Sequence, residues 1–181
     1  ATAGGVLLWG MALRRMVRHR TAELVAERQR LQRLNRLYRV LTGINETISA
    51  TRDRQRLFDE VCRVVVEFGG LSMAWIGRPD VAANRIRPVA HAGMAAGYLD
   101  KIHVSMGDDE HGRGPTGVAF REGRTDRAQD FERESRMAPW VEEAGRVAIR
   151  SSAAFPIKVR GETRAVLSVY ADKVDAFDAE E

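Results

Sequence analysis

Residues 14 to 50 contain no proline and one glycine, Gly43, while their apolar side chains recur about every 3.5 residues. Leu31, Leu34, Tyr38, Leu41 and Ile48 fall on the a and d positions of a heptad. Asn45 takes the intervening core position, and Leu24 extends the series backward. A stretch of this kind can only be a long helix with one apolar seam, and the seam needs a cover. Two covers fit. In a parallel two-chain coiled coil through Leu24 to Leu41, Asn45 would fix register and oligomer state. In a helix lying on its own globular domain, Leu37, Ile44 and Ile48 are also accounted for. The expectation is a homodimeric coiled coil whose last turns dock on the domain that follows.

Charge divides the chain in the same place. Arginine supplies 26 of the 29 basic residues, and nine of them lie between Arg14 and Arg39 against only Glu23 and Glu27. The formal charge of the whole is +4, so everything outside that segment is net negative. The sequence pI near 9.7 therefore describes the helical leader, and a nucleic-acid groove on the globular part is not expected. One cysteine, Cys62, permits no intrachain disulfide and no cysteine-based zinc site, which fits a reducing compartment. Residues 1–13 are uncharged and are followed at once by Arg14, Arg15, Arg18 and Arg20. They are too short to span a bilayer alone, and a signal peptide would carry its charge first. They read as the end of a truncated transmembrane helix, with Trp9 near the interface and the arginines on the cytoplasmic side. The alternative is a short helix start that is exposed or covered by a partner.

The expected domains are thus residues 1–13, a juxtamembrane signalling helix over 14–50, and a globular domain over 51–181 whose first helix is shared with the leader from about residue 37. In that domain Thr51 or Asp53 can cap a helix running to about Phe68, where Gly69 and Gly70 stop it. Strands follow over Leu71–Gly77 and Ile86–Ala92, joined by a turn at Asp80–Asn84. Residues 93–107 are punctuated by glycine and predict a short helix and loop. Pro115 occupies a helix N1 position and carries a helix to Gly123. Residues 126–136 read as polar loop and 137–146 as a short helix. Ser151–Val159 and Ala165–Ala171 form a second hairpin turning at Gly161, and a helix begins at Phe177. The order gives an α+β fold, an antiparallel sheet with long helices on one face and irregular segments on the other.

The runs L-Y-R-V-L-T-G-I-N-E-T-I from Leu37, M-A-W-I-G from Met73, G-R-G-P-T-G from Gly112, R-M-A-P-W from Arg136, R-S-S-A-A-F-P-I from Arg150 and the closing F-D-A-E-E occur in one order. In that order they resemble the GAF domains that precede GGDEF or EAL domains in bacterial cyclic di-GMP signalling proteins. The leader is similar to the juxtamembrane helix of membrane-bound sensor kinases and diguanylate cyclases. The resemblance implies a six-stranded sheet, a pocket on the face away from the terminal helices and dimerisation through those helices. It also implies a cytoplasmic domain at the inner membrane with an effector domain in cis, which makes or hydrolyses cyclic di-GMP. The fragment itself is expected to be no enzyme but a sensory or regulatory module. The alternative is a ligand-free domain that only dimerises and transmits helix motion, as in a sensor histidine kinase. No ligand is implied, since a fold does not name its ligand.

The residues offer little covalent chemistry. Gly112, Gly114 and Gly117 match G-x-G-x-x-G, but an acidic loop precedes them and no acidic residue closes a second strand, so turn chemistry is the expectation. His91, His103 and His111 share no helix face with a carboxylate pair, and no metal site is expected at Asp108–His111. His91 as a haem ligand is a minor reading beside a hydrogen-bonded strand histidine. Cys62 lies among valines, an environment that buries a thiol without activating it. Ser151 and Ser152 lack the turn and the base that a nucleophile needs. No cofactor is expected. The candidate pocket consists of Trp75, His91, Tyr98, Arg136, Met137, Trp140 and Ser152, with Arg136–Trp140 as its lid; the competing reading packs Met137 and Trp140 as the apolar side of a short helix. Strand alternation puts Met73, Trp75 and Gly77 on one face and Ala74 and Ile76 on the other, so only one set can face the long helices, and the resemblance implies that the Trp75 face looks away from them, toward His91 and the lid.

Overall fold

The computed structural model describes residues 20–21, 24–25, 27–43, 54–94 and 97–177. The chain divides into two compact units, Ala1–Arg39 and Val40–Glu181. Residues 20–21, 24–25 and 27–43 are helical, the last stretch being helix α1. Leu24 and, on α1, Leu31, Leu34, Tyr38 and Leu41 are all between 54% and 71% exposed, so these seam residues face solvent in the single chain. Asn45, the segment 1–13, the cap at Thr51 or Asp53 and the start of a helix after Phe177 lie outside the described residues. Among the described residues no helix is long and apolar enough to cross a membrane.

The second unit follows the expected α+β plan. Helix α2 (Arg54–Gly69) ends where Gly70 takes a left-handed conformation, φ 65°, at no steric cost. Strands β1 (Met73–Asp80) and β2 (Arg85–Gly93) form the first hairpin, and β4 (Ser151–Val159) and β5 (Glu162–Ala171) the second. The second turns at Arg160 and Gly161, both with positive φ, which matches the twist of a two-residue hairpin. Between the hairpins lie helix α3 (Pro115–Glu122), a short strand β3 (Asp126–Ala128), a 3₁₀ turn over Ser135–Trp140 and helix α4 (Val141–Arg146). Pro115 opens α3 as expected, and Gly123 closes it with φ 64°.

Three expectations are corrected here. The sheet has five strands among the described residues, in the order β2-β1-β5-β4-β3, rather than six. Residues 102–106 run beside β2 but join it by one bridge, Arg85 to Ser105, held by the Ile86 amide donating to the Val104 carbonyl at 2.9 Å and the Met106 amide to the Asn84 carbonyl at 3.3 Å. The stretch read as polar loop contains β3, whose three residues pair with Ser152–Ala154. Its polar side chains sit at the sheet edge, where the alternation signal is weakest. The helix expected between 93 and 107 is a single turn, with Tyr98 carbonyl accepting from the Lys101 and Ile102 amides.

The two faces of the sheet carry separate cores. Ala74, Ile76, Ala153, Val169 and Ala171 pack with Cys62 and Val65 of α2 on one face. Met73, Trp75, Ile86 and Tyr170 pack on the other with Tyr98, Phe131, Met137, Trp140 and Ile149. Trp75 therefore faces away from the Cys62 helix, opposite to Ala74 and Ile76 as strand alternation requires.

Candidate functional site

The second face holds the cavity. Its floor is β5, where alternation brings Ser168 and Tyr170 to the same side, and Tyr170 stands opposite both Met73 and Ser152 in the ladder. Trp75 lies beside this floor, 1% exposed, and donates its Nε1–H to the Tyr170 hydroxyl at 3.1 Å. The Thr116 and Ser168 hydroxyls are 2.8 Å apart beside it. Burial raises the Tyr170 phenol pKa, against the hydrogen bonds from Trp75 and Thr116, so this group stays a neutral hydrogen-bonding partner.

Aromatic rings form the walls. Tyr98 meets Tyr170 edge to face with centroids 6.0 Å apart, and Phe131 meets Tyr170 in the same way at 6.4 Å. Trp140 closes the far side and is fixed by its Nε1–H, which donates to the His103 carbonyl at 3.0 Å. Its ring lies over Gly114, where a Cβ would come within 2.7 Å of the indole. Gly112 and Gly117 serve similar close approaches, since a Cβ on either would press into the backbone carbonyl of Gly107 or Gly112. The G-x-G-x-x-G run is thus a packing device that lets α3 begin under the Trp140 ring. Met137 completes the wall from the 3₁₀ turn.

The cavity encloses about 300 Å³ of space between atoms, of which only about 20 Å³ admits the centre of a water-sized sphere. The second figure governs what fits now, because the first includes space open to solvent. It leaves room for about one water.

Of the seven residues expected in the pocket, Tyr98, Met137, Trp140 and Ser152 line it. Trp75 stands on the same face beside Tyr170, which it hydrogen-bonds, without lining the cavity itself. His91 pairs with Trp75 in the ladder but is exposed on the edge strand, away from the cavity. Arg136 lies on the outer side of the lid: its Nη1 donates to Asp126 at 2.5 Å, its Nε to Glu134 at 3.0 Å, and its Nη2 to the Arg127 carbonyl. It ties the lid to β3 and, outside the aromatic cavity, lines a more open groove with Glu110, His111 and Arg113. Both competing readings of Met137 and Trp140 hold at once, because the same side chains are core and pocket wall. Residues missed in the sequence are Ile102, Val104, Gly114, Pro115, Thr116, Phe131 and Tyr170. Tyr170 was reachable from strand alternation; Phe131 carries no such signal, since it lies in an irregular segment.

Chemistry by side chains is sparse here. Cys62 is fully buried on the opposite face of the sheet, and burial, then the charge of Asp59, push its thiol up to about 12. Among the described residues no three His, Cys, Asp or Glu side chains cluster as metal ligands. His103 and His111 stack edge to face at 5.3 Å, and His111 meets Trp140 at 6.1 Å.

A helix-flanked antiparallel sheet with a cavity on the face away from α2 is matched by a family model described as the GAF domain over residues 51–181, most of the chain. The chain belongs to the GAF domain family. Solved structures agree in fold. The A. aeolicus nlh2 GAF domain in an inactive state is similar with TM-score 0.61 and 21% identity, over 81% of this chain and 83% of that one. Free methionine-R-sulfoxide reductase from Neisseria meningitidis, in complex with its substrate, gives 0.63 and 19% over 77% and 75%. The GAF domain of a phosphoenolpyruvate-protein phosphotransferase from Coxiella burnetii gives 0.63 and 15% over 81% and 83%. No curated protein is a significant match. GAF domains are in general sensory or regulatory modules, and this one has a five-stranded sheet among the described residues.

Proposed function

We propose that this GAF domain is a sensory module, in which a small molecule entering the aromatic cavity changes the path of the chain leaving β5. The observation that carries this reading is the clamp made by Gln129. Its side chain donates to the Phe177 carbonyl and accepts from the Phe177 amide at 3.4 Å, while its own carbonyl accepts from the Asp175 amide at 2.9 Å. Two residues later in the same segment, Phe131 is a cavity wall. A guest that moved Phe131 would therefore pull directly on the segment that leaves the sheet.

The output we assign is a cyclic di-GMP synthesis or hydrolysis domain in cis, reached through a dimer whose contact is the exposed seam Leu24, Leu31, Leu34, Tyr38 and Leu41, with Asn45 continuing it. The arginine-rich leader and the uncharged residues 1–13 support a seat for the assembly at the cytoplasmic face of a membrane. The domain acts without turnover of its own. One of its structural neighbours is a methionine-R-sulfoxide reductase, but the single thiol here is sealed behind the sheet and held protonated. The small space inside the cavity favours a second reading, a filled domain that dimerises and transmits helix motion alone. Native mass spectrometry of the purified chain separates the two. A dimer carrying a copurified small molecule supports the sensor, an unliganded dimer the transmitter, and an unliganded monomer defeats both.

A further inference from the structure

Two hydroxyls in the cavity have nothing to bond. Tyr98 and Ser152 are each 3% exposed and line the cavity, yet neither side chain has a hydrogen-bond partner among the described residues. The other polar groups there are satisfied: Tyr170 accepts from Trp75, Thr116 pairs with Ser168, and the Trp140 N–H is held by His103. Both oxygens keep some accessible surface, since the sealed side-chain atoms without a partner among the described residues are Arg85 Nε and Arg150 Nε, so each stands open to a guest that can bond it. The cavity can hold one water, but four aromatic rings and a methionine around it make a poor home for water alone.

None of the eleven residues lining the cavity is charged. A carboxylate, phosphate or ammonium guest would lose its hydration without meeting a counter-charge, at a cost the walls cannot offset. Rings already meeting edge to face at interplanar angles of 73° and 70° offer both edges and faces to a further ring. The guest must also displace part of the wall, and only Met137 among the bulky side chains there is flexible and unbranched. It sits in a 3₁₀ turn, whose hydrogen bonds are weaker than those of an α-helix.

From these observations we infer that the ligand is an uncharged single-ring compound carrying one hydroxyl or carbonyl oxygen, held between the Tyr98 and Ser152 hydroxyls, with Met137 moving aside to admit it. The inference rests on the sensory reading above and names the chemical class that the same cavity takes. Isothermal titration of the full chain with phenol, toluene, benzoate and benzyltrimethylammonium tests it. Phenol should bind one site, toluene more weakly, and the two ions not at all. Ser152→Ala and Tyr98→Phe should each weaken phenol about three- to tenfold and leave toluene unchanged; both substitutions remove one oxygen, and circular dichroism confirms their fold. Phenol binding indifferent to both substitutions, tighter binding of either ion, or no binding by phenol overturns the assignment. If an ion binds and quenches tryptophan, the class is wrong and the sensory reading survives. If none of the four binds and the purified chain carries no ligand, the sensory reading falls as well.

Discussion

Gly114 shows how much of this site is decided by a single hydrogen atom. A Cβ there would stand 2.7 Å from the Trp140 ring, so Gly114→Ala must push the indole outward or tilt the start of α3. Overpacking of this kind costs about 1–3 kcal/mol. The expected result is a folded domain with a lower melting temperature, red-shifted tryptophan emission and weakened phenol binding; unchanged emission and affinity would show that the ring has room to spare. Cys62 makes the opposite kind of statement. Buried at 0% exposure and held as a thiol up to about 12, it should resist a thiol reagent at pH 8 until the domain unfolds. Labelling of the native protein as fast as that of the urea-unfolded chain would contradict its burial. His103 adds a pH dependence. Burial first, then the charges of Arg85 and His111, lower its pKa below 6.5. The unfolded chain then binds the proton more readily, so its contribution to stability is present above about pH 6.5 and is lost as pH falls through the folded value. Melting followed from pH 8 to pH 5 should therefore show a His103→Asn variant falling less steeply than the parent.

At the scale of elements, what was legible in the sequence is what repeats. The alternation of Met73, Trp75 and Gly77 against Ala74 and Ile76 is a local pattern that separates the two sets, whereas which set meets the cavity follows only from the family resemblance. Pro115 and Gly123 bound α3 because each solves a backbone problem at its own position. The sixth strand is absent from the described residues because the segment beside β2 keeps only the two backbone bonds that flank Arg85 and Ser105, a pairing too short for any local pattern to show. Arg136 was read as a lid cation meeting a ligand, whereas its partners Asp126 and the Arg127 carbonyl come from the very strand that reads as loop. An error in one element thus became an error in the site. The Gln129 clamp lies in that same unpatterned segment, and it gives the test of relay. Gln129→Ala removes both side-chain bonds to Phe177 while β4 and β5 keep their ladder. Hydrogen exchange at the Asp175 and Phe177 amides should quicken by about tenfold or more, with β5 amides unaffected. Equal protection in variant and parent would remove Gln129 from the path between cavity and output.

Over the whole molecule the two units have opposite needs. The GAF domain buries apolar residues on both faces of its sheet, whereas Leu31, Leu34, Tyr38 and Leu41 of α1 are exposed. Isolated helices of this length are marginal in water, and covering each leucine would contribute roughly 1.5–3 kcal/mol. A second copy would supply that cover at the right spacing, since the seam repeats every three or four residues as a two-stranded coil requires. The surrounding arginines oppose pairing at low salt and are screened as salt rises, so dimerisation should strengthen with ionic strength. Leu34→Asp combined with Leu41→Asp places two carboxylates in the seam and should yield monomers in sedimentation equilibrium. Those monomers should keep the circular dichroism of the sheet and the phenol response of the cavity, because the cavity is walled entirely by residues from Tyr98 to Tyr170. If the double variant remains dimeric, the contact lies elsewhere than on α1. If it is monomeric but no longer binds phenol, the cavity depends on the dimer, and signal then runs between leader and pocket in both directions.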